Sequence, residues 1–318
     1  MKKILICAAA FLALAAAPAR AQLAGKKVLF VNSYHEGYEW SDGEEKGAKS
    51  VLEAAGAQVT FFRMDTKRHQ DEAFRKAAGQ KAKAQIEALK PDAVILSDDP
   101  AVQYLLVPFY KDASLPFVFC GVNWEATKYG LPYKNATGMV EVALVKELLG
   151  AMKDYAKGPR VAFLTVDSET ERIELPYYKK ALGLSFSHEK LVKTFAEWKD
   201  AYTKLQGETD AILLGNFAGI NDWNEKEAAE FAAAHAKVIS GAMYDFMMPY
   251  AMLGFVKVAE EQGQWAAKTT IAILKGTAPS AIPVTPNKQA KVLLNPAVAG
   301  KAGILFKPEL VRSAQVAK

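Results

Sequence analysis

The chain has 318 residues, 51% of them hydrophobic and 24% charged, with 40 lysines and arginines against 35 acidic residues and a formal net charge of +5. That length accommodates two domains of ordinary size, each with its own core. The near balance of charge gives no reason to expect nucleic acid or a membrane surface as partner, and two cysteines make no disulfide framework.

Lys2 and Lys3, the apolar run Ile4 to Ala17 and the small-x-small triplet Ala19-Arg20-Ala21 predict a secretory signal peptide over residues 1–21, cleaved after Ala21. The run is short for a membrane span, so the mature chain is expected in the periplasm with no direct membrane insertion. Removal of Lys2, Lys3 and Arg20 leaves 37 basic against 35 acidic residues, a net +2. Cys7 leaves with the signal, and Cys120, within Pro116-Phe117-Val118-Phe119-Cys120, reads as a buried small hydrophobe.

Three short apolar strands follow, each ending in small or polar residues. They are Val28–Asn32 into Ser33 and Tyr34, Ala93–Leu96 into Ser97 and Asp98, and Phe117–Cys120 into Gly121 and Asn123. Helical periodicity fills the gaps: Asp42–Ala55, with Ser41 and Glu44 as a capping box, and Asp71–Leu89. Asp99 before Pro100 reads as the N-cap of a further helix. A crossover is expected at the Gly130-Leu131-Pro132-Tyr133 stretch, and the pattern then repeats. Val161–Val166 runs into Asp167 and Ser168, Ala211–Leu214 into Gly215 and Asn216, and Val238–Ile239 into Ser240 and Gly241. The second strands even share an introduction, Lys90-Pro91-Asp92-Ala93 and Glu208-Thr209-Asp210-Ala211. From Met247 to Leu274 the chain reads as helical, with a break near Gln262-Gly263 and a stop at Gly276.

Strands alternating with helices, twice over, predict an α/β protein of two doubly wound parallel-sheet lobes joined by a multi-segment hinge. The expected boundaries are 22–138 for the N-terminal lobe, completed by 247–282, and 139–246 for the C-terminal lobe, completed by part of 283–318.

Ligands of such sheets sit at the carboxyl ends of the strands. There the first loop offers Ser33, Tyr34, Tyr38 and Trp40, polar groups beside aromatic walls. Ser97, Asp98, Asn123 and Trp124 end the next two strands, and Asp167, Asn216 and Asp245 are the corresponding positions of the second lobe. Asp167 suits a ligand ammonium or else caps the following helix; Trp40 and Trp124 are equally readable as packing residues. A carboxylate in one lobe with hydroxyls and helix amides in the other would let one zwitterion bridge both and favour closure. No Gly-x-Ser-x-Gly, P-loop, His-Glu-x-x-His or cysteine pair is present, and no spaced set of metal ligands, so neither an enzyme nor a cofactor is expected. His35 beside Glu36 is the one candidate general base.

The stretch from Ser240 to Gly303, with Tyr244-Asp245-Phe246, Glu261-Gln262-Gly263-Gln264-Trp265-Ala266-Ala267, Ile273-Leu274-Lys275-Gly276, Ile282-Pro283-Val284 and Asn295 before Ala302-Gly303-Ile304, resembles the C-terminal part of ABC-transporter substrate-binding proteins of the tryptophan/tyrosine-binding type. Pro91 to Leu96, Leu115 to Phe119 and Gly121-Val122-Asn123 are similar to the N-terminal lobe of that family. The resemblance implies a type I periplasmic-binding-protein fold and an exported receptor that closes on a small molecule, an aromatic or other amino acid among the candidates, and hands it to a membrane permease. The wording of the loop from Ser33 to Trp40 is closer to related extracytoplasmic sensor domains, which implies a sensor kinase as the alternative partner.

Overall fold

A computed structural model describes residues 23–317; the expected signal peptide and cleavage site lie outside them. The chain divides into two compact units, the first comprising the chain to Met139 together with Gln262–Val284, the second Val140–Glu261 and the chain from Thr285 onward.

In the first unit β1 (Lys27–Asn32), β2 (Gln58–Arg63), β3 (Ala93–Ser97), β4 (Phe117–Asn123) and β5 (Ala136–Glu141, whose last two residues pass into the second unit) stand in the order β5-β4-β3-β1-β2. Helices α1 (Glu39–Ala54), α2 (Glu72–Leu89) and the short turns α3 (Asp98–Ala101) and α4 (Val107–Phe109), joined by a π-helical Val102–Leu106, connect them. β1 pairs in parallel with both β2 and β3, Asn32 lying level with Arg63 on one side and Ser97 on the other, and Ser97 is level with Cys120 of β4. The chain thus winds outward from β1 in one direction and from β3 in the other. The reversal between them is the switch point where open sheets of this class hold ligands.

The apolar runs that announce these strands are continuous because both faces are covered. Val28, Phe30, Ile95, Val118 and Cys120 are fully buried with Ala48 and Leu52 of α1 and Ala266 and Ala267 of α9 (Ala259–Leu274). Cys120 is the buried hydrophobe its context implies.

The second unit repeats the plan. β6 (Val161–Val166), β7 (His188–Val192), β8 (Ala211–Leu214), β9 (Ile239–Ala242), β10 (Leu253–Lys257), β12 (Ala290–Leu294) and β13 (Gln315–Val316) stand in the order β13-β12-β10-β9-β8-β6-β7; β11 is the two-residue Thr285–Pro286. All neighbours are parallel except β10 and β12. The reversal falls between β6 and β8. Helices α5 (Val145–Met152), α6 (Glu169–Lys180), α7 (Phe195–Glu208), α8 (Glu225–His235), α10 (Pro296–Lys301) and α11 (Pro308–Ser313) complete the chain. The core of this unit is aromatic: Trp198 stacks on Tyr202 at 5.0 Å, and the Trp223 indole donates to the Tyr250 hydroxyl at 3.2 Å. No helix among the described residues is long and apolar enough to cross a membrane.

Several local expectations change. Helix α1 starts at Glu39, so Ser41 lies inside it and is no cap; the loop before it is held instead by the Gly37 amide donating to the Asp42 carboxylate. The stretch from Met247 contains β10 before α9 begins, which moves the return to the first unit from 247 to Gln262. Nor does α9 break at Gln262-Gly263: a Cβ on Gly263 would lie 1.9 Å from the Glu44 carbonyl oxygen, so this glycine marks the close approach of two helices.

Candidate functional site

At the switch point of the first unit β1 and β3 are tied together by their terminal residues. Ser33 is fully buried; its hydroxyl donates to the Ser97 carbonyl at 2.5 Å and accepts the Ala101 amide at 2.8 Å. The turn that opens at Asp98 is therefore capped from the neighbouring strand. Asp99, read from the sequence as that cap, faces the other way and accepts from the amide and side chain of Asn123, at 3.1 and 2.8 Å, and from the Tyr129 hydroxyl at 2.8 Å, with Lys128 at 2.7 Å. Burial and the Asp99 carboxylate push the Tyr129 phenol far up, keeping it a donor.

Replacing Ser33 by alanine removes the acceptor of one buried amide and the donor to one buried carbonyl. The expected loss is about 2 kcal/mol of stability, read from the urea midpoint. A midpoint equal to that of the unmodified chain would take Ser33 out of this role.

Asp98 is 2% exposed and sits at φ +66°, a left-handed backbone that an aspartate adopts at modest cost. The Ser97 hydroxyl lies 2.5 Å from Glu44 Oε2 and 2.9 Å from Asp98 Oδ2; with one proton it donates to one of them at a time. Gly121, at φ +67°, leaves room for both acids, since a Cβ there would stand 2.5 Å from Glu44 Oε1 and 2.9 Å from Asp98 Oδ1. The Gly121 amide donates to Gln262 Oε1 of α9 at 3.0 Å. Beside this group the Asn32 side-chain amide donates to Glu45, which also holds Arg63 of β2 through two hydrogen bonds and keeps that guanidinium firmly protonated.

The aromatic loop folds on itself. Tyr34 and Tyr38 meet edge to face at 5.4 Å, and the Lys67 ammonium lies 4.9 Å from each ring. Trp40 is half-buried in the first turn of α1, and Trp124, at φ +65°, is half-buried after β4. His35 lies 3.8 Å from Asp65, which also receives a bidentate Arg68 and lies 3.7 Å from His69. Arg68 holds the Asp65 carboxyl below its usual range. Glu36 is exposed and directed toward Arg63 at 3.5 Å rather than toward the imidazole.

In the second unit Asp167 accepts both guanidinium donors of Arg172, at 2.6 and 2.8 Å, with Lys193 at 3.7 Å, and this pairing lowers its pKa. The following helix is capped by Ser168. Asn216 turns its side-chain oxygen back onto the Ala218 amide at 2.7 Å, while its own amide donates to the Thr165 hydroxyl at 3.0 Å. Asp245 is exposed and accepts the Phe246 amide at 2.8 Å.

Ser33, Ser97, Asp98 and Asn123 are thus gathered at one end of the first sheet, and Asp167, Asn216 and Asp245 follow the strands β6, β8 and β9 of the second. Sequence reading took Glu44 for the capping-box partner of Ser41 and missed Glu45; both are buried on α1, where they bond Ser97, and Asn32 and Arg63, respectively. It also missed a set of buried groups in the second unit. Glu171, 1% exposed, accepts from Thr165 at 2.7 Å, and burial raises its pKa to about 7. Glu174, also raised by burial, accepts from Tyr178 at 2.8 Å. Spacing alone gives no sign of these, because Glu169-Thr170-Glu171-Arg172 reads as an ordinary charged first turn. Among the described residues no three metal-ligating side chains converge.

A search of curated protein sequences finds no match. A ligand-free, open substrate-binding protein with adhesive properties from Clostridium difficile superposes with a TM-score of 0.71 at 16% identity, over 92% of this chain and 99% of that one. A domain from Streptococcus pneumoniae in complex with L-Trp gives 0.54 at 17%, and a periplasmic ribose ABC transporter protein from Conexibacter woesei 0.54 at 16%, each over 92% of this chain and 99% of the other. At such identities these structures speak for the fold, which is that of type I periplasmic binding proteins. The family model described as ABC transporter substrate binding protein matches residues 46–318, and with two doubly wound sheets carrying polar and aromatic residues at their strand ends, the chain belongs to that family of solute-binding proteins.

Proposed function

We propose that this protein is an exported receptor that binds a small amphipathic solute, with an aromatic amino acid as the first candidate, and delivers it to a membrane permease. The observation that carries the reading is the family match over residues 46–318, joined to a first-unit switch point lined by hydroxyls and aromatic side chains. Delivery rather than chemistry is supported by the make-up of the site. Its acids are bonded to hydroxyls, amides and guanidinium groups, and His35 is placed against Asp65 rather than beside a nucleophile.

The test is a thermal-shift series on the mature protein against amino acids, small carboxylates, nucleobases and sugars, since a ligand that binds only the folded state raises its melting temperature. Recovery of the added compound unchanged separates binding from turnover. Trp40→Ala is expected to weaken binding of the responding compound about tenfold or more, roughly 1.4 kcal/mol, with the melting temperature of the free protein little altered. Unchanged affinity would move the site away from the first loop.

A further inference from the structure

In the second unit two glutamates of α6, Glu171 and Glu174, are withdrawn from water. Glu171 Oε2 is engaged by Thr165, but Glu171 Oε1 is buried with no hydrogen-bond partner among the described residues. Glu174, held by the Tyr178 hydroxyl at 2.8 Å, lies within electrostatic reach of Lys257 and Glu141, which pair with each other. The Tyr244 phenol is within reach of all three glutamates. The groups facing this spot are therefore Thr165 from β6, Glu171, Glu174 and Tyr178 from α6, Glu141 from β5, Lys257 from β10 and Tyr244 after β9. Lys257 is paired with Glu141 and acts on Glu174. Aromatic rings stand beside them: Tyr244 stacks on Phe246 at 5.2 Å, Phe217 meets Phe246 edge-on at 5.6 Å, and Phe246 is 42% exposed.

We infer that Glu171, Glu174 and Tyr244 form a subsite for an organic cation, an ammonium or amidinium group carried on a flat ring. The ring would lie against Tyr244 and Phe246, and the charged end would give Glu171 Oε1 the donor it lacks. A metal ion is the poorer fit, because a hard cation needs three or more converging oxygen ligands. Asp167, the sequence's candidate for a ligand ammonium, is already matched by Arg172, whereas Glu171 Oε1 has no hydrogen-bond partner among the described residues. The inference rests on the solute-binding reading above and names the ligand class.

Titration calorimetry with tryptamine, phenethylamine and benzamidine, against indole-3-propionate and 3-phenylpropionate, tests it. At least one cation is expected to bind and its carboxylate counterpart not to. The Glu171→Gln/Glu174→Gln double variant is expected to bind that cation at least thirtyfold more weakly. Affinity should also rise between pH 6 and pH 8, because the cation displaces a proton held by the cluster. Phe246→Ala, which removes an exposed ring, reads the aromatic half even if the double variant folds poorly, and a tenfold loss is expected. Binding by none of the three cations, or equal binding by the double variant and Phe246→Ala, overturns the inference. If a sugar or amino acid still shifts the melting temperature in that case, solute binding stands and only the cation subsite falls.

Discussion

Gly263→Val is expected to destabilise the first unit by about 3 kcal/mol and lower the melting temperature by roughly 10 °C, followed by circular dichroism. A Cβ at this position meets backbone rather than a yielding side-chain end: 1.9 Å to the Glu44 carbonyl oxygen and 2.8 Å to the Ala48 amide nitrogen. Those two groups belong to one turn of α1, so α1 cannot give way locally without opening its own hydrogen-bond ladder. Helix α9 has to move instead. Its Ala266 and Ala267 are fully buried in the first unit's core, and its Gln262 accepts the Gly121 amide, so displacement uncovers apolar surface and unties the end of β4 together. The comparison is Gly150→Ala, also within a helix, where a new Cβ meets nothing within 4 Å. There the lower helix propensity of glycine alone decides, and stability should rise by up to about 1 kcal/mol. Melting of Gly263→Val at the temperature of the unmodified chain would refute the close approach.

That glycine also shows where sequence reading stops. Strands β1, β3 and β4 of the first half and β6, β8 and β9 of the second were legible because they are buried along nearly their whole length and therefore continuously apolar, whereas the half-exposed β2 and β7 carry no such run. Strand β10 was not, since Leu253-Gly254-Phe255-Val256-Lys257 is short and follows a methionine-rich stretch with equal claim to be helix. Gly263 was read as a helix breaker, because a helix interior tolerates glycine only for a reason that lies on another element. The caps divide in the same way. Asp71 caps its own helix, as local chemistry demands. Ser41 and Asp99 look equally local, yet the turn at Asp98 takes its cap from Ser33, distant in sequence. Strand-end positions such as Ser33 and Ser97 could be named from topology alone. The partners that Ser97 and Gly121 take, Glu44 from one helix and Gln262 from another, could not, because long-range pairing leaves no periodicity.

Glu171→Gln is expected to raise stability by an amount that grows with pH, close to zero near pH 4.5 and about 3 kcal/mol at pH 8. The sign follows from proton binding in the two states. Burial lifts the folded-state pKa of Glu171 to about 7 from the ordinary 4.5, with the Thr165 hydrogen bond opposing only part of the shift. Between those values the unfolded chain has released its proton while the folded chain still holds it. The folded state binds more protons there, so stability conferred at low pH is lost steadily as pH rises, and the full penalty is in place above about 7. Glutamine has nothing to titrate, keeps an oxygen for the Thr165 hydroxyl and leaves the side-chain volume nearly unchanged. The paired acids Asp65, Asp167 and Asp210 are shifted the opposite way by their arginines, so their contributions fade only as pH falls below 3.8 and do not overlap this window. Because desolvation is the cause, moderate salt should leave the difference in place, where an exposed ion pair would be screened. Urea titrations of both proteins at pH 5, 6, 7 and 8 read the effect directly. Parallel stability curves would mean that Glu171 is ionised throughout, and a buried anion would then require a permanent cation from within the chain itself.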